Sequence, residues 1–176
     1  MIERFETERL VGTRLTDGAA TLLHLIFENP TSAGPLGGVR TAEETRQILL
    51  RFLAHWVGHG YGPWSLAEKP SEHVIGYAGL MHATTGPELG IELLYAILPG
   101  FWNRGFASEA ARAVVHLAFL DLALPELIGY TLTTNGASQR VFERCGFRFE
   151  KELLRSDLPH RLYRLRAVDW ARGGIA

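Results

Sequence analysis

Between Leu98 and Glu109 the chain reads Leu98-Pro99-Gly100-Phe101-Trp102-Asn103-Arg104-Gly105-Phe106-Ala107-Ser108-Glu109, an apolar strand running through two glycines straight into an amphipathic helix. The first N–H groups of such a helix lack internal partners and carry the positive end of its dipole. A glycine beside them lets an anion approach the backbone, so the segment suits a pyrophosphate, with Arg104 as an added side-chain charge. The plain alternative is a tight turn that packs helix on sheet. Neither a Gly-x-Gly-x-x-Gly run nor a Gly-Lys-Ser/Thr follows, which sets aside the dinucleotide-fold and Walker readings.

Other reactive side chains are scattered. Glu92 interrupts the apolar stretch Ile91-Glu92-Leu93-Leu94-Tyr95-Ala96-Ile97. A carboxylate without a partner there is costly to bury and has a raised pKa, as suits a base; the alternative is a pair with a core arginine. Ser138 opens a short helix, where its hydroxyl can either give a proton or simply cap. His82 is a weaker base candidate, and Glu88 reads as surface. His55 and His59 stand four apart on a helix, but no third residue at a matching spacing completes a metal site, and none is expected. Cys145 reads as core rather than nucleophile.

These residues need a frame. Alternation predicts a strand over 9–15, and Thr16-Asp17 can cap a helix bearing Ala19, Leu22, Leu23 and Ile26, ended by Asn29-Pro30. Residues 31–40, rich in Gly and Pro, read as a loop. Thr41-Ala42-Glu43-Glu44 is a capping box ahead of Ile48, Leu49, Phe52, Leu53, Trp56 and Val57 at helical spacing, with Gly58 and Gly60 as the stop. Strands over 63–68, 73–82 and 88–98 follow, then a helix over 107–122, a strand over 127–133 and a helix over 137–145 closed by Gly146. A hairpin of 147–154 and 161–168 ends the series: a mixed α/β fold in one domain over 1–176.

The chain has 176 residues, 47% hydrophobic and 21% charged, with a formal net charge of -1. That composition excludes disorder, and the near-neutral balance argues against a general grip on nucleic acid or anionic lipid. Seven arginines, from Arg140 to Arg166, still crowd the last quarter and leave a local basic patch open. One cysteine, no apolar stretch of spanning length and no apolar leader point to the cytoplasm as the expected compartment.

Trp102-Asn103-Arg104-Gly105-Phe106-Ala107, taken with Asn135-Gly136-Ala137-Ser138-Gln139-Arg140-Val141-Phe142-Glu143-Arg144-Cys145-Gly146-Phe147, resembles the GCN5-related N-acetyltransferase (GNAT) family. Glu6-Thr7-Glu8-Arg9-Leu10 and Ile75-Gly76-Tyr77-Ala78-Gly79-Leu80 are similar to its branch acting on ribosomal-protein N-termini. The resemblance covers residues 7–170. It implies a mostly antiparallel sheet of about seven strands flanked by about four helices, with acetyl-CoA held where the fourth and fifth strands splay apart. The pantetheine arm would pair with the backbone of Tyr95, Ala96 and Ile97. The pyrophosphate would meet the N–H groups of Asn103, Arg104, Gly105, Phe106 and Ala107, beside Ser108, and Asn135 would bond the cofactor arm. Arg140 and Arg144 would either meet the 3′-phosphate or form a solvated face. Two positions depart from the family pattern: Trp102 stands where Gln or Arg is usual, and Phe142 where many relatives carry a tyrosine acid.

The implied chemistry is direct transfer of an acetyl group to a primary amine, of a protein N-terminus or a small molecule. The amine must be neutral, though such groups titrate between about 8 and about 10.4, so a base or a water relay is needed. Glu92 is the expected base and Ser138 the expected acid, with backbone N–H near Ile97 steadying the oxyanion. The competing reading is a CoA-binding module without catalysis. A homodimer is left open; nucleic-acid and membrane partners are not expected.

Overall fold

The computed structural model describes residues 2–83 and 89–173. A single eight-stranded sheet runs in the order β1-β2-β3-β4-β5-β6-β8-β7 and is antiparallel except between β5 and β6. Its strands are β1 (Arg4–Glu6), β2 (Leu10–Arg14), β3 (Pro63–Glu68), β4 (Val74–His82), β5 (Ile91–Ile97), β6 (Glu126–Leu132), β7 (Arg148–Arg155) and β8 (Leu158–Arg166). Six α-helices accompany them: α1 (Ala20–Phe27), α2 (Pro30–Ala33), α3 (Ala42–His59), α4 (Phe106–His116), α5 (Gly136–Arg144) and α6 (Ala167–Arg172).

Period-two alternation in β5 sorts its side chains between two layers. Leu93 and Ile97 join the core under α4, where Ala110, Ala111, Val114 and Val115 are buried. Ala96 and Leu94 join the layer made by Leu22, Leu23 and Ile26 of α1 and Ile48 and Phe52 of α3. Alanines on the buried side of α4 let that helix close down on the strand. The capping box of α3 forms as expected: Thr41 Oγ1 accepts the Glu44 N–H at 3.2 Å, and a Glu44 oxygen accepts the Thr41 N–H at 2.8 Å. Gly60, at φ +73°, ends that helix, whereas Gly58 lies within it.

The departures have physical causes. β1 is too short to show alternation; it is placed because Phe5 lies on Gly12, where an added Cβ would sit 2.2 Å from the ring. Thr16 makes no side-chain cap, and α1 starts instead from a 3-10 turn at Asp17–Ala19. The expected loop over 31–40 begins inside α2, because Pro30 starts that helix under the Asn29 cap, and it then passes through a 3-10 turn at Gly34–Leu36. After His116, α4 widens into a π turn, Leu117–Asp121, in place of a uniform helix to residue 122. The last strand stops at Arg166 rather than 168: the chain turns into α6, whose Trp170 packs edge-on to His116 at 5.0 Å and against Phe119 at 5.4 Å.

The opening that matters lies between β5 and β6. Every other neighbouring pair is matched along its length, but these two touch at one register position, Glu92 opposite Ile128. Beyond it they diverge, as the fourth and fifth expected strands were anticipated to do.

Candidate active site

Two cavities meet at the divergence of β5 and β6. The first, about 250 Å³, is lined by Tyr95, Ala96 and Ile97 of β5, by Asn103, Gly105, Phe106, Ala107 and Ser108 at the start of α4, and by Asn135 and Ser138 of α5. Ten of the eleven residues expected to meet a cofactor are therefore gathered on one cavity. Arg104 is the exception. Its guanidinium turns away to Glu68 at 2.7 Å and stacks on Phe106, so its side chain adds no charge to this cavity.

The loop into α4 is held in an uncommon conformation. Asn103 has φ +59° and Gly105 φ +82°, and such alternation turns successive N–H groups toward one side. The N–H groups of residues 103–108 have no backbone partner among the described residues. A pyrophosphate fits such a cradle. Arg140 and Arg144 also line this cavity, as a 3′-phosphate contact requires.

A brace that the sequence left unexplained holds the loop. Glu109 accepts from Thr7 Oγ1 at 2.6 Å, the Arg9 N–H at 2.9 Å and Arg9 Nε at 2.7 Å, while Arg9 Nη1 donates to the Arg104 carbonyl at 2.9 Å. Partial burial pushes the Glu109 carboxyl up, but the bonds from Thr7 and Arg9 outweigh it and hold it below its ordinary value. The motif at residues 6–10 thus acts through α4. Only the pairing of segments a hundred residues apart reveals it.

Trp102, in the place of the usual Gln or Arg, donates its indole N–H to the Ile97 carbonyl at 2.5 Å. The indole so engages one of the backbone groups at the strand end expected to receive pantetheine. Phe142 is fully buried; its ring lies against Gly129, where a Cβ would be 2.2 Å away, and stacks on Tyr163 at 5.4 Å. A hydroxyl is present nearby from another source. Tyr95 Oη and Ser138 Oγ are 2.7 Å apart, and burial pushes the Tyr95 phenol well above its usual range. The Ser138 N–H donates to Asn135 Oδ1 at 3.0 Å, and Asn135 Nδ2 donates to the Pro35 carbonyl at 3.1 Å, so Asn135 both caps α5 and ties it to the turn after α2.

The second cavity, about 540 Å³, adjoins the first across Tyr95, Asn135 and Ser138 and also carries Glu92, His55, His59 and His82. Glu92 is not solitary. Arg155 Nη1 and Nη2 donate to its two oxygens at 2.9 and 2.8 Å, and the guanidinium lies 4.2 Å above the Tyr130 ring. This corrects the expectation of a carboxylate without a partner and selects its alternative, the pair with a core arginine. Arg155 stands at the end of β7, and no local spacing announces that it faces β5.

The histidines also need correction. His82 at the end of β4 supplies a third imidazole to His55 and His59, with ligand nitrogens within 4.8 Å of one another, where the helix spacing alone offered two. Both His55 nitrogens are engaged by the main chain: Nδ1 with the Tyr61 carbonyl at 2.8 Å and Nε2 with the His82 N–H at 3.0 Å. Burial pushes His55 down to about 4 despite the Tyr61 bond, and burial, with His59 beside it, also lowers His82. Cys145 is buried, which pushes its thiol up to about 12, in keeping with a core role. Glu88 lies outside the described residues.

Residues 9–148 match the family described as acetyltransferase (GNAT) domain. The chain is 29% identical over 152 residues to YoaA, an uncharacterized N-acetyltransferase of Bacillus subtilis (strain 168), covering 85% of each sequence. Among solved structures, an acetyltransferase from Agrobacterium tumefaciens str. C58 superposes with a TM-score of 0.81 at 31% identity, over 94% of this chain and 95% of that one. An aminoglycoside acetyltransferase in complex with coenzyme A shares the fold, with a TM-score of 0.76 at 16% identity, over 93% of this chain and 98% of that one. Among the described residues no helix is long and apolar enough to cross a membrane.

Proposed function

The chain belongs to the acetyltransferase (GNAT) family, and from that premise we propose that it moves an acetyl group from acetyl-CoA to a primary amine by direct attack. One observation carries the reading: a cradle of unpaired N–H groups at residues 103–108 opens onto the same cavity as the Ser138–Tyr95 hydroxyl pair. Bound there, acetyl-CoA supplies the thioester, whose C–S bond is replaced by a C–N bond to the acceptor.

The protein's own groups orient and move protons. The amides of Asn103 to Ala107, with Ser108 beside them, bind the diphosphate, while Tyr95, Ala96, Ile97 and Asn135 flank the arm. Ser138 Oγ gives a proton to the departing thiolate. Tyr95 is a positioning residue: kept protonated by burial, it donates into Oγ and leaves the serine's own hydrogen aimed at the cleft. This supplies by another route the hydroxyl missing at Phe142. Glu92 receives the ammonium proton through water, being the single carboxylate among the described residues that lines the acceptor cavity.

The test measures free thiol released from acetyl-CoA over a panel of amines, with calorimetry of CoA binding alongside. Ser138→Ala is expected to lower kcat about a hundredfold with CoA affinity retained, within the range of general acid catalysis. Unchanged turnover removes Ser138 from the chemistry. CoA binding with no turnover of any amine supports the non-catalytic binding module instead.

A further inference from the structure

The larger cavity has an uneven charge. Its one carboxylate among the described residues, Glu92, is gripped at both oxygens by Arg155. Arg51, projecting from α3 into the same space, has no ion pair or hydrogen bond. The remaining ionisable lining groups are imidazoles and phenols, and no imidazole becomes an anion near neutral pH. A polycation entering here would give up its water without finding a carboxylate free to receive it. An anionic group would find a planar guanidinium with its donors available.

Size and lining narrow the occupant. A volume of about 540 Å³ is that of a small-molecule site. Phe27, Ile48, Phe52, Met81 and Leu94 give the wall an apolar character that favours a compact hydrocarbon body. The amine end must lie toward Ser138 and Tyr95, which line both cavities, so the anionic end has the α3 side left to it.

Building on the transferase reading, we propose that the acceptor is a small amine bearing both an apolar body and a carboxylate, of the apolar α-amino acid class, with Arg51 as its carboxylate-binding residue. Steady-state kinetics with L-phenylalanine, 2-phenylethylamine and spermidine at saturating acetyl-CoA separates the possibilities. Phenylalanine is expected to give the highest kcat/KM. Arg51→Gln should raise its KM by about tenfold or more with a much smaller change in kcat, the loss expected for one charged hydrogen-bonding partner. Arg51→Lys should recover part of that loss, since it restores the charge without the fork. Faster turnover of 2-phenylethylamine or spermidine overturns the acceptor class and leaves the transferase reading standing, as does an Arg51→Gln variant with an unchanged KM for phenylalanine. No turnover of all three by protein that binds acetyl-CoA overturns both.

Discussion

The two cavities on either side of Ser138 are built from different materials. The smaller is a backbone device: a strand end, two residues at positive φ and the free amides of a helix start. The larger is a side-chain device, in which α3, β4, β5 and β7 each contribute a charged or titratable group. A backbone device asks little of residue identity beyond a glycine and a helix start, so it can keep one binding task while most side chains change. A side-chain device changes with each substitution. One end of this molecule therefore suits a constant cofactor, and the other a particular acceptor.

The sharpest way to break that contrast is at Glu92 and Arg155, which are 13% and 20% exposed. Arg155→Met strands a largely buried carboxylate, and a loss of ~3 kcal/mol of unfolding free energy is expected by denaturant titration at pH 7. Adding Glu92→Gln removes the orphaned charge and should return much of that loss. CoA affinity should hold in both variants if the two devices are independent. If Arg155→Met weakens CoA as strongly as it weakens the fold, the division between cofactor and acceptor sides is wrong.

That division also explains what could be read along the chain. The capping box at Thr41 and Glu44, the strand over Pro63–Glu68 and the glycine-bearing entry to α4 are local patterns, and each formed as expected. Ten of the eleven cofactor-facing positions followed from one such stretch and the start of α5. Arg104 did not, because its long side chain chose a partner on β3. The acceptor side was harder to read because its decisive contacts are remote: Arg155 meets Glu92 across 63 positions, and His82 meets His55 across 27. No periodicity encodes such meetings; the order of strands in the sheet creates them. β1 and α6 were missed for a different reason, being too short to display a period.

A smaller effect is expected from the brace that holds the phosphate loop. The Glu109 carboxyl sits below its ordinary value, so it contributes stability that is present above the unfolded value and lost as pH falls through the folded one. Glu109→Gln should cost ~2 kcal/mol at pH 7, because it weakens three hydrogen bonds of which the carboxylate is the charged partner. Wild type and variant should converge in acid, as the carboxylate protonates. CoA binding should weaken as well, since Arg9 links the same brace to the Arg104 carbonyl. A stability difference independent of pH would mean that shape rather than charge holds Glu109.

The mildest perturbation is the most selective. Gly105 adopts φ +82°, and a Cβ built there lies 3.3 Å from an Arg9 guanidinium nitrogen, the end of a flexible side chain that can shift. Gly105→Ala should therefore cost only the left-handed strain, ~1–2 kcal/mol. The residue lines the smaller cavity and not the larger, so that strain is expected to reduce CoA affinity measured by calorimetry while leaving the KM for the acceptor amine nearly unchanged. Should the acceptor KM rise in step with the loss of CoA binding, the cleft works as one continuous surface, and α5 rather than the entry to α4 would be the part that couples its two ends.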